Sequence, residues 1–117
     1  MAKVLIADDN PAICSLLNDL IKSDGHDVIT AHNGKAAIEA ISSGLQFDLV
    51  ITDLKMPGAD GNRVAAAAKE AGIERVVINT CSPHDARHLP GIEVVAKMTV
   101  RDVEDRILGP LKAKVRL

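Results

Sequence analysis

The chain of 117 residues reads as an α/β domain on a parallel sheet. Two observations predict this. Strand-like and helix-like patterns alternate from one end to the other. The strand-like runs, "KVLIA" and "LVIT" among them, are short, continuous and rich in Val, Ile and Leu, as expected of strands buried on both faces. A third observation says where to look for chemistry. Asp8 and Asp9 follow the first of these runs and Asp53 follows the second. Ligands of open parallel sheets bind outside the carboxyl ends of the strands, so the three carboxylates converge on one edge.

The elements follow in order. Lys3–Ala7 is the first strand. Asn10 or Asp9 can cap the next helix, with Pro11 suited to its first turn. Ile13, Leu16, Leu17, Leu20 and Ile21 recur at helical spacing through Lys22, and Gly25 sits where a left-handed cap ends a helix. His26–Ala31 is the second strand. Asn33-Gly34 opens a second helix carrying Ala37, Ile38 and Ile41, closed by Ser42-Ser43-Gly44. Phe47–Thr52 is the third strand. A loop with Pro57 and Gly58 leads to the Ala-rich helix "NRVAAAAKEAG", stopped at Gly72. Arg75–Asn79 and Gly91–Ala96 are the fourth and fifth strands. Val100–Leu108 is a last helix, ended by Gly109-Pro110, and residues 110–117 form a tail that packs or frays.

One crossover breaks the rhythm. Thr80 to Pro90 joins two strands with few residues, Pro83 and Pro90 among them. Ser82 can cap and Pro83 can start a helix, with Asp85 placed as in a capping box. At about 1.5 Å of rise per residue, His84–Leu89 gives less than two turns. The crossover is short or not helical.

Composition narrows the function classes. The chain is 47% apolar and 26% charged, a globular balance, and its length suits one domain over residues 1–117. Phe47 is the sole aromatic residue, so the core is aliphatic and base stacking is nearly excluded. The net charge of −2 gives no basic footprint for direct nucleic-acid binding. Two cysteines are too few for a disulfide scaffold, and a reduced cytoplasmic setting fits them. No run approaches a membrane span, and the N-terminus has no signal-peptide pattern.

Three carboxylates at one dry edge cannot all stay ionised without a proton or a cation. Clustered carboxylates with backbone carbonyls are the ligand set of a hard divalent ion such as Mg²⁺. Aspartate is also a phosphoryl acceptor. Each residue has a plainer reading on its own: an Asp pair as a helix cap, Asp53 as a turn residue, Thr80 as a strand end, Lys97 as a solvated charge. The ordered set, each member at a carboxyl-terminal strand end, is poorly explained by chance.

That set is Asp8-Asp9, then Asp53 within "ITDLKMPGADG", then Thr80 closing strand four, then Lys97 closing strand five. It resembles the receiver domain of two-component response regulators over the whole chain. The resemblance implies a flavodoxin-like, doubly wound five-stranded parallel sheet of order 2-1-3-4-5, here with a shortened or missing fourth helix. It implies that Asp53 accepts a phosphoryl group from a histidine kinase or phosphotransfer protein. Asp9 then ligates Mg²⁺ directly, Asp8 through water, and the Lys55 backbone carbonyl supplies a further oxygen. Lys97 pairs with Asp53 at rest and with the phosphoryl oxygens afterwards, and Thr80 donates its hydroxyl to them. Such a domain is a regulatory switch that catalyses only its own phosphorylation and dephosphorylation. It signals through changed protein contacts, a homodimer among them, without binding nucleic acid or membrane.

The chain also departs from the family pattern. Met98 follows Lys97 where the family usually has a proline preceded by a cis bond. Val94 fills the slot of a Tyr or Phe, and the larger Cys81 stands where Ala or Gly is usual. These departures motivate an alternative, a pseudo-receiver that binds partners independently of phosphate. Cys81, His84 and His88 have a spacing able to ligate zinc, though a fourth ligand is not evident and polar loop residues are the simpler reading. Cys14 is expected as a small core residue.

Overall fold

Five parallel strands and their crossovers form a two-sided α/β layer in the computed structural model, which describes residues 2–111. The strands are β1 (Lys3–Ala7), β2 (Asp27–Ala31), β3 (Leu49–Thr52), β4 (Arg75–Thr80) and β5 (Ile92–Ala96), in sheet order β2-β1-β3-β4-β5. The expected order is therefore found. Three helices follow the first three strands: α1 (Pro11–Ser23), α2 (Gly34–Ser42) and α3 (Gly61–Glu70). The last helix, α4, opens at Val100–Asp102 as α-helix and continues as π-helix over Val103–Leu108.

Strand alternation divides the core into two layers. Leu5, Val50, Val76 and Ile78 point to one side, where Ala37 and Ile41 of α2 and Val64, Ala65 and Ala68 of α3 cover them. Val4, Ile6, Leu49, Ile51 and Val77 point to the other, under Leu17 and Ile21 of α1 and Val103 and Ile107 of α4. The three central strands are buried almost throughout, whereas the edge strands β2 and β5 are partly exposed.

Local chemistry sets the boundaries. Asn10, rather than Asp9, caps α1: its Oδ1 accepts the Ala12 N–H at 3.0 Å. Asn33 caps α2 through the Ala36 N–H at 2.7 Å. Gly25 has φ +91° and donates to the Lys22 carbonyl, the left-handed helix stop expected there. Strand β2 begins one residue later than expected, because the His26 N–H turns back to the Ile21 carbonyl and its buried ring accepts the Ala2 N–H. β3 begins at Leu49, and β4 extends through Thr80, which pairs with Ala96.

The crossover between β4 and β5 is short, as expected: a single 3₁₀ turn forms at Pro83–Asp85. Two local expectations are corrected. The Ser82 side chain makes no capping bond there. Thr80 Oγ1 accepts the Ser82 N–H instead, at 3.0 Å, and this turn diverts the chain. Nor does Gly109-Pro110 end the last helix. Residues 109–111 stay helical, and Leu111 is buried in the core. Pro110 has no N–H for the carbonyl four residues earlier, that of Arg106. The Arg75 guanidinium supplies that bond from β4 at 2.7 Å, while Gly109 donates to Glu104 in the π pattern. The remainder of the tail, residues 112–117, lies outside the described residues.

Candidate functional site

The carboxyl-terminal edge of the sheet gathers most of the predicted residues. Asp8 leaves β1 with its N–H on the Ala31 carbonyl, and Asp53 leaves β3 with its N–H on the Ala7 carbonyl at 2.7 Å. These main-chain bonds place the two carboxylates side by side. One carboxylate oxygen from each of Asp8, Asp9 and Asp53 lies within 4.8 Å of the other two. Asp8 is buried, Asp53 half-buried and Asp9 exposed. Because Asn10 caps α1, Asp9 is left to face the site.

Asp53 is held from below as well as from the side. Its Oδ1 accepts the Leu54 N–H at 2.7 Å, and its carbonyl accepts the Thr52 hydroxyl at 2.8 Å. Gly61, at the start of α3, lies so close that a Cβ there would fall on the Asp53 carbonyl oxygen. Only glycine permits this approach, and the Gly61 N–H donates to the Leu54 carbonyl at 2.7 Å.

Lys97 enters from the end of β5. Its Nζ donates to Asp8 Oδ2 at 2.8 Å and stands 3.6 Å from Asp53 Oδ2. The expected pairing with Asp53 is thus the longer of two, and Asp8 is the main partner. The electrostatics follow. Burial pushes the Asp53 carboxyl above its ordinary value; Lys97 opposes that rise and the charge of Asp8 adds to it. Burial pulls the Lys97 ammonium down, but the bond to Asp8 and the charges of Asp8 and Asp53 outweigh it, so it ends above its ordinary value. Three carboxylates against one ammonium leave two negative charges uncompensated, the charge of one divalent cation.

The donor set fits such an ion. Hard oxygens suit Mg²⁺, and oxygens on opposite sides of an octahedral Mg²⁺ stand about 4.2 Å apart. The 4.8 Å limit on the Asp8, Asp9 and Asp53 oxygens is close to this, and Asp9 is exposed enough to adjust.

The remaining predicted residues are placed as follows. Thr80 ends β4 at the same edge and is buried, its oxygen already accepting from Ser82. Lys55 lies in the loop after Asp53, with its side chain directed away to Asp85 at 3.4 Å. Cys81, His84 and His88 are not gathered: among the described residues the three aspartates form the one cluster able to hold a metal. His88 instead meets the Pro83 carbonyl. Cys14 is buried as expected, and its thiol also donates to the Asp8 carbonyl at 3.1 Å. Burial, then the Asp8 charge, pushes that thiol up.

One residue escaped the sequence reading. Asn79 is buried, and its Oδ1 accepts the Met98 N–H at 2.9 Å. An amide interrupting the apolar run "RVVINT" was the available signal. The described residues contain no cis peptide bond. Met98 therefore uses the N–H that a proline would lack.

The response regulator receiver domain family matches residues 4–104. This chain belongs to that family. The receiver is 30% identical to the transcriptional regulatory protein ResD of Bacillus subtilis over 118 residues, covering 94% of this chain and 48% of ResD. It is 41% identical to the sensor histidine kinase GacS of Pseudomonas protegens over 73 residues, covering 62% of this chain but 8% of GacS. The chain thus spans half or less of these curated relatives. Among solved structures, the response regulator TrrA of Thermotoga maritima, in complex with Mg²⁺-BeF, superposes with TM-score 0.79 at 28% identity over 97% of this chain and 98% of that one. A response regulator receiver protein from Sinorhizobium medicae superposes at 0.83 with 24% identity, covering 97% of this chain and 96% of that one, which speaks for the fold alone. The receiver takes its place in two-component signalling, and the phosphate-independent alternative is not favoured. Among the described residues no helix is long and apolar enough to cross a membrane.

Proposed function

We propose that residues 1–117 act as one phosphoacceptor receiver in the cytoplasm, phosphorylated on Asp53 by a histidine kinase or phosphotransfer protein. The observation that carries this reading is the set of Asp8, Asp9 and Asp53 at one sheet edge with Lys97 reaching across it. Asp8, Asp9, Asp53 and the Lys55 carbonyl hold Mg²⁺, which when bound neutralises charge on the phosphoryl oxygens.

The chain's own groups divide the remaining work. Asp53 Oδ1 is engaged by the Leu54 N–H, which leaves Oδ2, facing Lys97, to attack phosphorus. The Oδ2–P bond forms as the P–N bond of the phosphohistidine breaks, and the departing imidazole nitrogen takes up a proton from solvent water. Lys97 carries a compact charge on a flexible stem and shifts from Asp8 to the new phosphoryl oxygens. The Thr80 oxygen accepts from Ser82, so its own O–H is available to donate to the phosphoryl group. The consequence is a changed contact with a protein partner, a second copy of the chain included.

Incubation with acetyl phosphate and Mg²⁺, read by intact mass, tests the proposal. One phosphoryl adduct is expected on the wild type and none on Asp53→Asn or in the presence of chelator. An unmodified wild type, or equal adduct on Asp53→Asn, overturns it.

A further inference from the structure

The Asn79 amide is a buried polar group that the reaction above does not use. It is 3% exposed at the penultimate position of β4, after three apolar residues. Strand alternation puts it on the face where Val77 packs with Ile51, Val103 and Ile107. Another valine or isoleucine would fill such a place with less desolvation cost. An amide is tolerable there only through the bonds it makes. The bond it makes is to the N–H of Met98, the residue directly after Lys97.

We propose that Asn79 is a positioning residue for Lys97, tying the Lys97–Met98 peptide to β4 so that the ammonium reaches Asp8 and Asp53. This rests on the phosphoacceptor reading above. The turn is fastened at both ends. Upstream, Asn79 holds the Met98 N–H. Downstream, Thr99 and Asp102 exchange side-chain-to-backbone bonds at 3.2 and 3.0 Å and start α4. Between these two fixed points the peptide has little freedom. A lysine stem is long and flexible, so the position of its ammonium depends on where the backbone starts it. β5 is an edge strand with neighbours on one side only, and its pairing with β4 ends at Ala96. Beyond Ala96, the Asn79 bond takes over the role of the ladder.

A double-mutant cycle tests this. Asn79→Leu removes the acceptor at similar volume. It should slow phosphorylation by acetyl phosphate at saturating Mg²⁺ by about 10–100-fold, the cost of misplacing a reacting charge by about an ångström. In a Lys97→Ala background the same substitution should have no further effect. An equal loss in both backgrounds, or no loss in either, overturns the proposal. Asn79→Ala, which leaves a small void rather than a branched side chain, serves if the leucine variant does not fold. Failure of both to fold assigns the amide a purely structural role and also overturns the proposal. A second readout does not need phosphotransfer. Side-chain ¹⁵N relaxation of Lys97 should show a more mobile ammonium in the Asn79 variants, and unchanged mobility overturns the proposal. If the wild type takes no phosphoryl group, the phosphoacceptor reading fails, while the relaxation result still decides the role of Asn79.

Discussion

Lys97 Nζ bonds to Asp8 Oδ2 at 2.8 Å and only faces Asp53 Oδ2, at 3.6 Å. The ammonium from β5 therefore sits on the carboxylate of β1, the most buried member of the proposed metal site. A cation held by Asp8, Asp9 and Asp53 must share Asp8 with it, and like charges at that range repel.

Removing the ammonium should then favour the metal. Lys97→Ala is expected to tighten Mg²⁺ binding by about fivefold, which corresponds to a coupling of about 1 kcal/mol. Isothermal titration calorimetry at fixed ionic strength measures this. An unchanged or weaker affinity would show that Lys97 and the metal do not compete for Asp8.

Asp53 lies above its ordinary value of 3.8, through burial first and the Asp8 charge as well, against the pull of Lys97. A carboxylate with a raised folded value binds more protons folded than unfolded between the two values, so stability falls as pH rises through that window. At neutral pH the ionised Asp53 destabilises the fold. Asp53→Asn should therefore raise the melting temperature in chelator at pH 7 by about 2–5 °C. The advantage should fade as pH falls through the raised value toward 3.8. A gain that persists unchanged at pH 3 would mean that it does not arise from this charge.

Gly61 lets the start of α3 touch the Asp53 carbonyl. The atom in the way is backbone, so an added methyl has no side chain to push aside. Gly61→Ala should cost about 1–3 kcal/mol in urea unfolding and slow phosphorylation as well, because the Asp53 loop must move. Full stability in Gly61→Ala would contradict the contact.

Arg75 supplies the bond that Pro110 denies to the Arg106 carbonyl. It also forks onto Glu93 at 2.7 and 3.2 Å, but Glu93 is half exposed and such a pair contributes little. Arg75→Ala should thus destabilise by about 1–2 kcal/mol, mainly through the stranded carbonyl. Pro110→Ala restores a backbone N–H near that carbonyl and should recover part of the loss. Additive effects in the cycle would rule out the compensation.

The architecture was legible because its signals are local and repeated. Buried runs such as "LVIT" and caps such as Asn33 each state their own element, and family spacing pointed to Asp8, Asp9, Asp53, Thr80 and Lys97 as one candidate site at the same sheet edge. What was not legible depends on pairs distant in sequence. The Asp8–Lys97 bond spans 89 positions, and nothing near either residue says which carboxylate the ammonium prefers. Gly109-Pro110 is a strong local stop signal that a guanidinium from β4 overrides. Asn79 was visible as an odd amide in a strand, but its partner Met98 is 19 positions away. The short crossover was legible from its few residues and two prolines, but the Ser82 cap offered there is not made, because the Ser82 N–H is drawn to Thr80.

That last contact bears on how phosphorylation would be read out. Val94 offers no ring to follow Thr80 inward, so the response falls to the segment between β4 and β5. This segment is fastened to Thr80 through the Ser82 N–H, to α3 through the Arg87 N–H on Asn62 Oδ1 at 2.8 Å, and to the Asp53 loop through Lys55 and Asp85. The Lys55–Asp85 pair is exposed and contributes little. Thr80 is buried, and the one oxygen that accepts from Ser82 also carries the O–H that would donate to a phosphoryl group, so moving it for one bond moves the other. A Thr80 that turns to the phosphoryl group pulls on Ser82, and the segment moves between two arrangements. Beryllofluoride with Mg²⁺ should therefore shift the amide resonances of residues 81–89 in the wild type. In Thr80→Ala, phosphorylation should be largely retained while those shifts disappear and only the loops holding Asp8, Asp9 and Asp53 respond. Resonances of 81–89 that stay still in the wild type would remove this segment from the switch.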